Sequence, residues 1–264
     1  MKKRIYFIKY GGSVVTDKRK PCSISAEDIV SLNKQIAYLR QKSDDLFVIG
    51  NGGGSFGHYY AQEYQLYDDI VTKQTFLGIC RGKCGNDYLN RLIVEDLLNR
   101  DLAVCSVRIS VPYLLEHNEN SWKEIISCLK NHIIPVLYGD ILFYPEKKYN
   151  IISTEQAFVD LSHYLHFYFH DEYEIAKFIL CTDTNGVLDD TNNTIPLLAT
   201  DTQNRSVFWT DTGTFDVTGG MKKKVEKSFE LAEIAPVQIV NGHEPDCIIR
   251  AVRNEIIGTL IKRR

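Results

Sequence analysis

Short apolar runs alternate with longer stretches of helical periodicity along the chain. Ile5 to Ile8 and Leu46 to Ile49 are four-residue apolar runs, and each leads into glycines: Gly11-Gly12 after the first, Gly50-Asn51-Gly52-Gly53-Gly54 after the second. Short apolar runs closed by glycine predict buried parallel strands. Between them Ile29, Leu32, Ile36 and Leu39 recur at helical spacing, which predicts a helix to about Gln41. Ser25 is its expected cap, with Asp28 three residues on as a capping-box partner.

The alternation continues to the end of the chain. Residues 55 to 99 are mainly helical, with predicted breaks near Gly78 and Gly82 to Gly85, and Leu102 to Val107 reads as a strand. Ser121 is expected to cap a helix carrying Ile125, Ile126 and Leu129, followed by a strand over Ile133 to Tyr138. Residues 141 to 152 predict a β-hairpin with a polar tip at Pro145 to Lys148. Thr154 opens a helix carrying Ala157, Phe158, Leu161 and Leu165, and Lys177 to Cys181 is a further buried strand. Residues 189 to 215 are turn-rich and predict a loop-and-hairpin lid. A helix from Gly219-Gly220-Met221 to about Glu233, a strand over Val237 to Val240, a helix over Cys247 to Arg253 and a last strand over Ile257 to Ile261 complete the pattern. Strand and helix in alternation predict an α/β fold, a three-layer αβα sandwich with a mostly parallel central sheet. Ligands then bind at the carboxyl ends of the strands.

Composition narrows the function classes. The 264 residues carry a net charge of -3, with 31 basic and 34 acidic side chains, so neither nucleic acid nor an anionic membrane is an expected partner. No apolar stretch approaches the length of a membrane span, and the N-terminal run is too short for a signal core. Seven scattered cysteines suit a reducing cytoplasm better than a disulfide framework. His163, His166 and His170 fall on one helical face, and Cys80 and Cys84 are one turn apart. The histidines lack acidic partners and the cysteines lack a second pair, so structural or surface roles are expected and no metal site is.

The candidate chemistry is phosphate chemistry. The glycines at 52 to 54 offer backbone N–H groups as an anion nest ahead of a helix N-terminus. Neither glycine turn ends in the Lys-Ser/Thr of a Walker loop, and Gly52 to Gly57 matches the dinucleotide spacing only weakly. Lys9 stands at a strand end, where an ammonium needs a counter-anion. His58 follows the second turn. Gly219-Gly220 opens a helix with Lys224 one turn inside on the face of Gly220, while Lys222 and Lys223 read as a solvated face.

In order along the chain stand Lys9-Tyr10-Gly11-Gly12-Ser13 with Thr16-Asp17-Lys18, Gly53-Gly54-Ser55-Phe56-Gly57-His58, and Tyr138-Gly139-Asp140. Thr182 to Val187, Asp216 to Met221 with Lys224, Asn241-Gly242 and Gly258-Thr259 follow. This series resembles the amino acid kinase family over nearly the whole chain, and within it the isopentenyl phosphate kinases, whose mark is the histidine of Gly-Ser-Phe-Gly-His. The resemblance implies one kinase domain over 1 to 264, with the acceptor bound by the N-terminal part and the nucleotide by the part from about 175. It implies transfer of the γ-phosphoryl of ATP, with Mg²⁺, onto a small-molecule phosphomonoester, and a homodimer. By the same resemblance Lys9, Lys18 and His58 are catalytic. Lys9, Gly11, Gly12, Ser13, Gly54, Asp183, Gly186, Gly220 and Lys224 hold ATP, and Gly53, His58 and Glu155 meet the acceptor.

Two departures shape the expectation. The family usually places an aspartate where this chain has Glu155, in Ser153-Thr154-Glu155. Arg81 and Lys83 fall in the stretch that lines an apolar acceptor pocket in isopentenyl phosphate kinases. If they face the pocket, a polar phosphomonoester or phosphonate fits better, as in fosfomycin kinase; if they face away, the isoprenoid acceptor stands. A third reading is a catalytically idle nucleotide-binding module, motivated only by Glu155.

Overall fold

The computed structural model describes residues 2–17, 19–66, 72–114, 122–145, 148–189, 191–200 and 220–263. Lys18, Ser121, the two central tip residues of the 141–152 hairpin, most of the expected lid and the segment 216–219 lie outside the described residues, as do the side chains of Lys222 and Lys223.

The first half runs β1 (Lys3–Tyr10), α1 (Gly12–Val15), α2 (Ala26–Lys42), β2 (Leu46–Asn51), α3 (Gly54–Glu63), α4 (Lys73–Leu98), β3 (Val104–Arg108), α5 (Ser110–Leu114), α6 (Lys123–Lys130) and β4 (Ile134–Tyr138). The second half runs β5 (Asp140–Tyr144), β6 (Lys148–Ile152), α7 (Thr154–Phe169), β7 (Tyr173–Thr182), β8 (Leu197–Ala199), α8 (Gly220–Ala232), β9 (Val237–Asn241), α9 (Cys247–Val252) and β10 (Thr259–Lys262). Eight strands form one sheet in the order β3-β4-β2-β1-β7-β9-β10-β8, and β5 and β6 form a separate antiparallel hairpin. Every pair in the main sheet is parallel except β9 with β10. Strands buried on both faces need apolar residues throughout, and β2 and β4 are buried along their whole length. One core, including Phe7, Phe158, Phe178 and Trp122, fills one face of the sheet. A second, including Ile8, Tyr10, Leu32, Ile36 and Ile93, fills the other. The αβα sandwich with a mostly parallel sheet is the architecture expected.

Four local expectations change. The helix predicted to break near Gly78 and Gly82 to Gly85 is continuous as α4; the interruption lies earlier, between α3 and α4. The glycines serve close packing: a Cβ on Gly78 would lie 2.3 Å from Tyr64 Cβ, and one on Gly85 3.2 Å from Phe56 Cβ. Ser25 precedes α2 without a side-chain capping bond, because its hydroxyl donates to the Asp28 carboxylate at 2.6 Å. Residues 197–199 of the expected lid are the edge strand β8, paired parallel to β10. The last strand begins at Thr259, two residues later than expected.

Candidate active site

The ends of β1 and β2 bring the two glycine turns together. Lys9 pairs with Gly50, and Tyr10 with Asn51. A Cβ on Gly12 would lie 2.4 Å from Gly54 N, and one on Gly52 2.9 Å from Gly12 N, so the two backbones touch and only glycine fits. Gly54 adopts φ +50°, and a Cβ there would also meet Thr16 Oγ1 at 2.2 Å. Thr16 fastens the junction: its hydroxyl donates to the Gly12 carbonyl at 2.6 Å and accepts the Ser55 N–H at 2.9 Å. Gly11 is wedged against β7, its N–H donating to the Cys181 carbonyl at 3.0 Å. Ser13 is half-buried in α1, and Val14 and Val15 anchor that turn in the core.

Lys9 is almost wholly buried and pairs with Glu155 in the first turn of α7. Ser153 caps that helix, its hydroxyl accepting the Gln156 N–H at 3.1 Å, while Thr154 donates to the Asn51 carbonyl at 2.7 Å and ties α7 to the end of β2. The Glu155 carboxylate thus reaches the Lys9 ammonium from the first turn of α7. Burial pushes the Glu155 carboxyl up, but Lys9, a backbone N–H and Lys224 outweigh burial and hold it below the usual carboxylate value. Lys224, half-buried on α8, therefore shares the site with Lys9 and Glu155. Gly220 opens the same helix.

His58 lies exposed in the second turn of α3, next to Gly57, which packs on Gly53. No side chain caps α3 at Gly53. Behind α3, the buried residues Ala61, Leu66, Ile79 and Ile141 gather with Tyr64, Phe76 and Tyr149 in a separate apolar cluster between α3, α4 and the hairpin. Lys83 borders that cluster, but its ammonium is engaged: it pairs with Asp140 and donates to the Ile141 carbonyl at 2.7 Å. Arg81 is exposed and lies over the Tyr64 ring, 5.6 Å from its centroid.

On the other side, Asp183 is exposed in the turn after β7. Gly186 takes φ +107°, and a Cβ there would meet Thr259 Oγ1 at 2.5 Å. That hydroxyl accepts the Val187 N–H at 2.8 Å and donates to the Ile195 carbonyl at 2.7 Å, clamping the turn against β10. Asn241 at the end of β9 donates to the Asn185 side chain at 2.8 Å.

The structure brings Lys9, Gly11, Gly12, Ser13, Gly53, Gly54, Glu155 and Lys224 to the strand ends around β1 and β2. Asp183 and Gly186 stand at the end of β7, and Lys18 lies outside the described residues. Sequence reasoning missed Thr16, Thr154 and Thr259 as fasteners, and it missed the Lys83–Asp140 pair. Thr16, Asp140 and Thr259 sat inside quoted motifs; their roles depend on partners up to 72 residues away. His163 and His166 are exposed on α7 and His170 just past its end, and among the described residues no group of three or more His, Cys, Asp or Glu is placed to hold a metal.

Comparison with known proteins places the chain in a family. The model of the amino acid kinase family matches residues 4–241. The chain is 27% identical over 270 residues to the isopentenyl phosphate kinase of Methanocaldococcus jannaschii, covering 96% of this chain and 97% of that one. It is 27% identical over 259 residues to that of Thermoplasma acidophilum, covering 97% and 99%. In fold it is similar to the crystal structure of the T. acidophilum isopentenyl phosphate kinase product complex, with a TM-score of 0.75, 23% identity, and 98% and 100% of the two chains covered.

Proposed function

The chain belongs to the amino acid kinase family, and from that premise we propose that it transfers the γ-phosphoryl of ATP to the phosphate of isopentenyl phosphate, giving isopentenyl diphosphate. The contact of Gly12 with Gly54 carries this reading. Two backbone turns that touch, with Lys9 beside them, can hold two phosphates within reach of one another. Electrostatic catalysis requires that arrangement when both reactants are anions.

In this reading Gly11, Gly12, Ser13 and Gly54 offer N–H groups to the nucleotide phosphates. Gly220 and Lys224 approach them from α8, and Asp183 and Gly186 border the nucleotide. Lys9 and Lys18 neutralise the transferring group. Gly53 and His58 hold the acceptor phosphate, and Glu155 orients Lys9. The acceptor phosphate is already largely dianionic above about pH 6, so the attack needs no general base. Glu155, the carboxylate placed beside the turns, is paired with Lys9, so the turns offer ammonium and N–H groups, which do not suit a protein-held cation. We therefore assign Mg²⁺ to the nucleotide's own phosphates.

The acceptor reading rests on the apolar cluster behind α3, the helix that carries His58. The apolar cluster of Ala61, Leu66, Ile79 and Ile141 suits a short alkenyl chain. Lys83 is neutralised by Asp140 and offers no free charge for a polar acceptor, whereas Arg81 lies exposed over Tyr64. The fosfomycin-kinase-like alternative loses Lys83 as a motive and keeps only Arg81. The idle-module alternative loses its motive at Glu155, which reaches Lys9. We extend the proposal to one domain, acceptor-binding before about residue 175 and nucleotide-binding after it. We also extend it to a cytoplasmic homodimer. Seven free cysteines support the compartment; the dimer follows from the family resemblance.

The deciding experiment is turnover of isopentenyl phosphate by the purified protein with ATP and Mg²⁺, read as ADP and diphosphate formed. Turnover at background level, with a polar phosphomonoester accepted instead, sinks the isoprenoid reading.

A further inference from the structure

Two lysines are almost wholly buried among the described residues, Lys9 and Lys177. Lys9 has Glu155. Lys177, in the middle of β7, has three neutral acceptors: Gln238 Oε1 at 3.1 Å, the Ala251 carbonyl at 2.7 Å and Asn254 Oδ1 at 2.8 Å. No carboxylate among the described residues pairs with it. Burial pushes its pKa down, the expected response of an ammonium in a poorly solvated site without a counter-charge.

A cavity of about 110 Å³ adjoins this lysine near the start of β9, away from the strand ends that carry the glycine turns. Lys177 and Lys262 give it two cations, and Pro236, Ile256 and Leu260 give it an apolar wall. Its one acidic lining residue, Glu255, is already paired with Arg250 at 2.8 Å. A cavity with net positive lining and an apolar wall suits an anion with a small hydrocarbon body.

The cavity is tied to the nucleotide side of the chain. Lys177 holds the C-terminal end of α9 through Ala251 and Asn254. Gln238, on the cavity wall, donates to the carbonyls of Glu255 at 2.8 Å and Ile257 at 2.9 Å. These bonds fix the strap 253–258, which leads directly into Thr259. Thr259 in turn holds Val187 and packs under Gly186. A ligand that draws the Lys177 ammonium toward itself competes with Ala251 and Asn254 and loosens the strap.

We propose that this cavity is a binding site for a small anion with a short branched apolar body, a carboxylate or an alkyl phosphate, and that its occupancy weakens nucleotide binding at the Gly186 turn. The coupling half rests on the nucleotide assignment made above; the binding half does not.

The probe is isovalerate, a branched carboxylate with no phosphate to compete at the glycine turns. Titration calorimetry on the full chain is expected to show saturable binding of one isovalerate per chain. Saturating isovalerate is expected to raise the ATP dissociation constant at least threefold. Ile256 is largely exposed at the cavity rim, so Ile256→Trp should fold normally, obstruct the cavity and abolish both effects. Lys177→Met should abolish them too, and Ile256→Trp decides if that variant does not fold. Absence of isovalerate binding, or binding unchanged in Ile256→Trp, overturns the site. An ATP dissociation constant unmoved by bound isovalerate overturns the coupling. Failure of ATP to bind at all would count against the kinase reading while leaving the calorimetric result for isovalerate intact.

Discussion

Lys9, at the end of β1, and Glu155, in the first turn of α7, form an ion pair in which each side chain is only about a tenth exposed (10% and 12%). The pair joins two elements that are 146 residues apart in sequence. It also places a carboxylate at a helix N-terminus, where the macrodipole favours negative charge. Lys224 also helps to lower the same carboxyl's pKa, by less than Lys9 does. One glutamate thus answers two cations beside the glycine turns.

Glu155→Gln keeps the shape and removes the charge. With Lys9 left without a counter-charge, unfolding free energy at pH 7 should fall by about 3 kcal/mol. The pH dependence has a definite sign. Burial alone would raise the Glu155 carboxyl, but its cationic partners hold it below its ordinary value of 4.5. Its contribution is therefore complete above that ordinary value and lost as pH falls through the folded-state value. Urea titrations should show the wild type and Glu155→Gln well separated at neutral pH and converging in acid. A gap that stays constant into acid would contradict the pairing.

Gly12→Ala tests the contact between the turns. The new Cβ would stand 2.4 Å from Gly54 N, a distance no packed structure tolerates, so one turn must move. A displaced anion nest should lower kcat/KM by about two orders of magnitude, equivalent to about 2.7 kcal/mol of transition-state stabilisation. Circular dichroism and steady-state kinetics together check this: an unchanged fold with unchanged kcat/KM would mean that the close approach is dispensable.

The strands and most helices were legible in the sequence because their signals are local. Apolar runs ending in glycine marked β1 and β2, and period-3.6 spacing marked α2 and α7. The α4 glycines misled because a helix-breaking residue is judged by propensity, whereas Gly78 and Gly85 sit within a helix where the lack of a Cβ lets Tyr64 and Phe56 pack close. The site was legible only as far as motif residues carry it. Lys9 and the glycine turns stood out, but whether Glu155 could replace an aspartate depended on where α7 begins relative to β1. Likewise the burial of charge at Lys83 depended on Asp140, 57 residues away.

His58→Ala should separate acceptor from donor. His58 stands exposed on α3, past the Gly53–Gly54 turn, and it lies on a different element from Lys224 and the Gly186 turn. On the role proposed for His58, its removal should raise the acceptor KM tenfold or more while leaving the ATP dissociation constant within twofold. Equal losses for both substrates would reassign the histidine to the nucleotide.

Arg81→Leu and Lys83→Leu should behave differently from one another, and neither should make the enzyme prefer a polar acceptor. Arg81 is exposed over Tyr64, so its removal should cost no more than about 1 kcal/mol of stability and leave acceptor choice unchanged. Lys83 answers the carboxylate of Asp140, whose side chain is 2% exposed and whose Oδ2 already has no hydrogen-bond partner. Removing the lysine leaves that carboxylate buried and unpaired, which should cost about 3 to 5 kcal/mol. The double variant Lys83→Leu/Asp140→Leu should recover much of that loss, because apolar residues in place of a buried pair avoid its desolvation penalty. Chemical denaturation of the three variants checks the stability pattern, and the ratio of kcat/KM for isopentenyl phosphate over a polar phosphomonoester checks specificity. A large fall in that polar activity on Lys83→Leu alone, with stability intact, would show that Lys83 meets the acceptor and not Asp140.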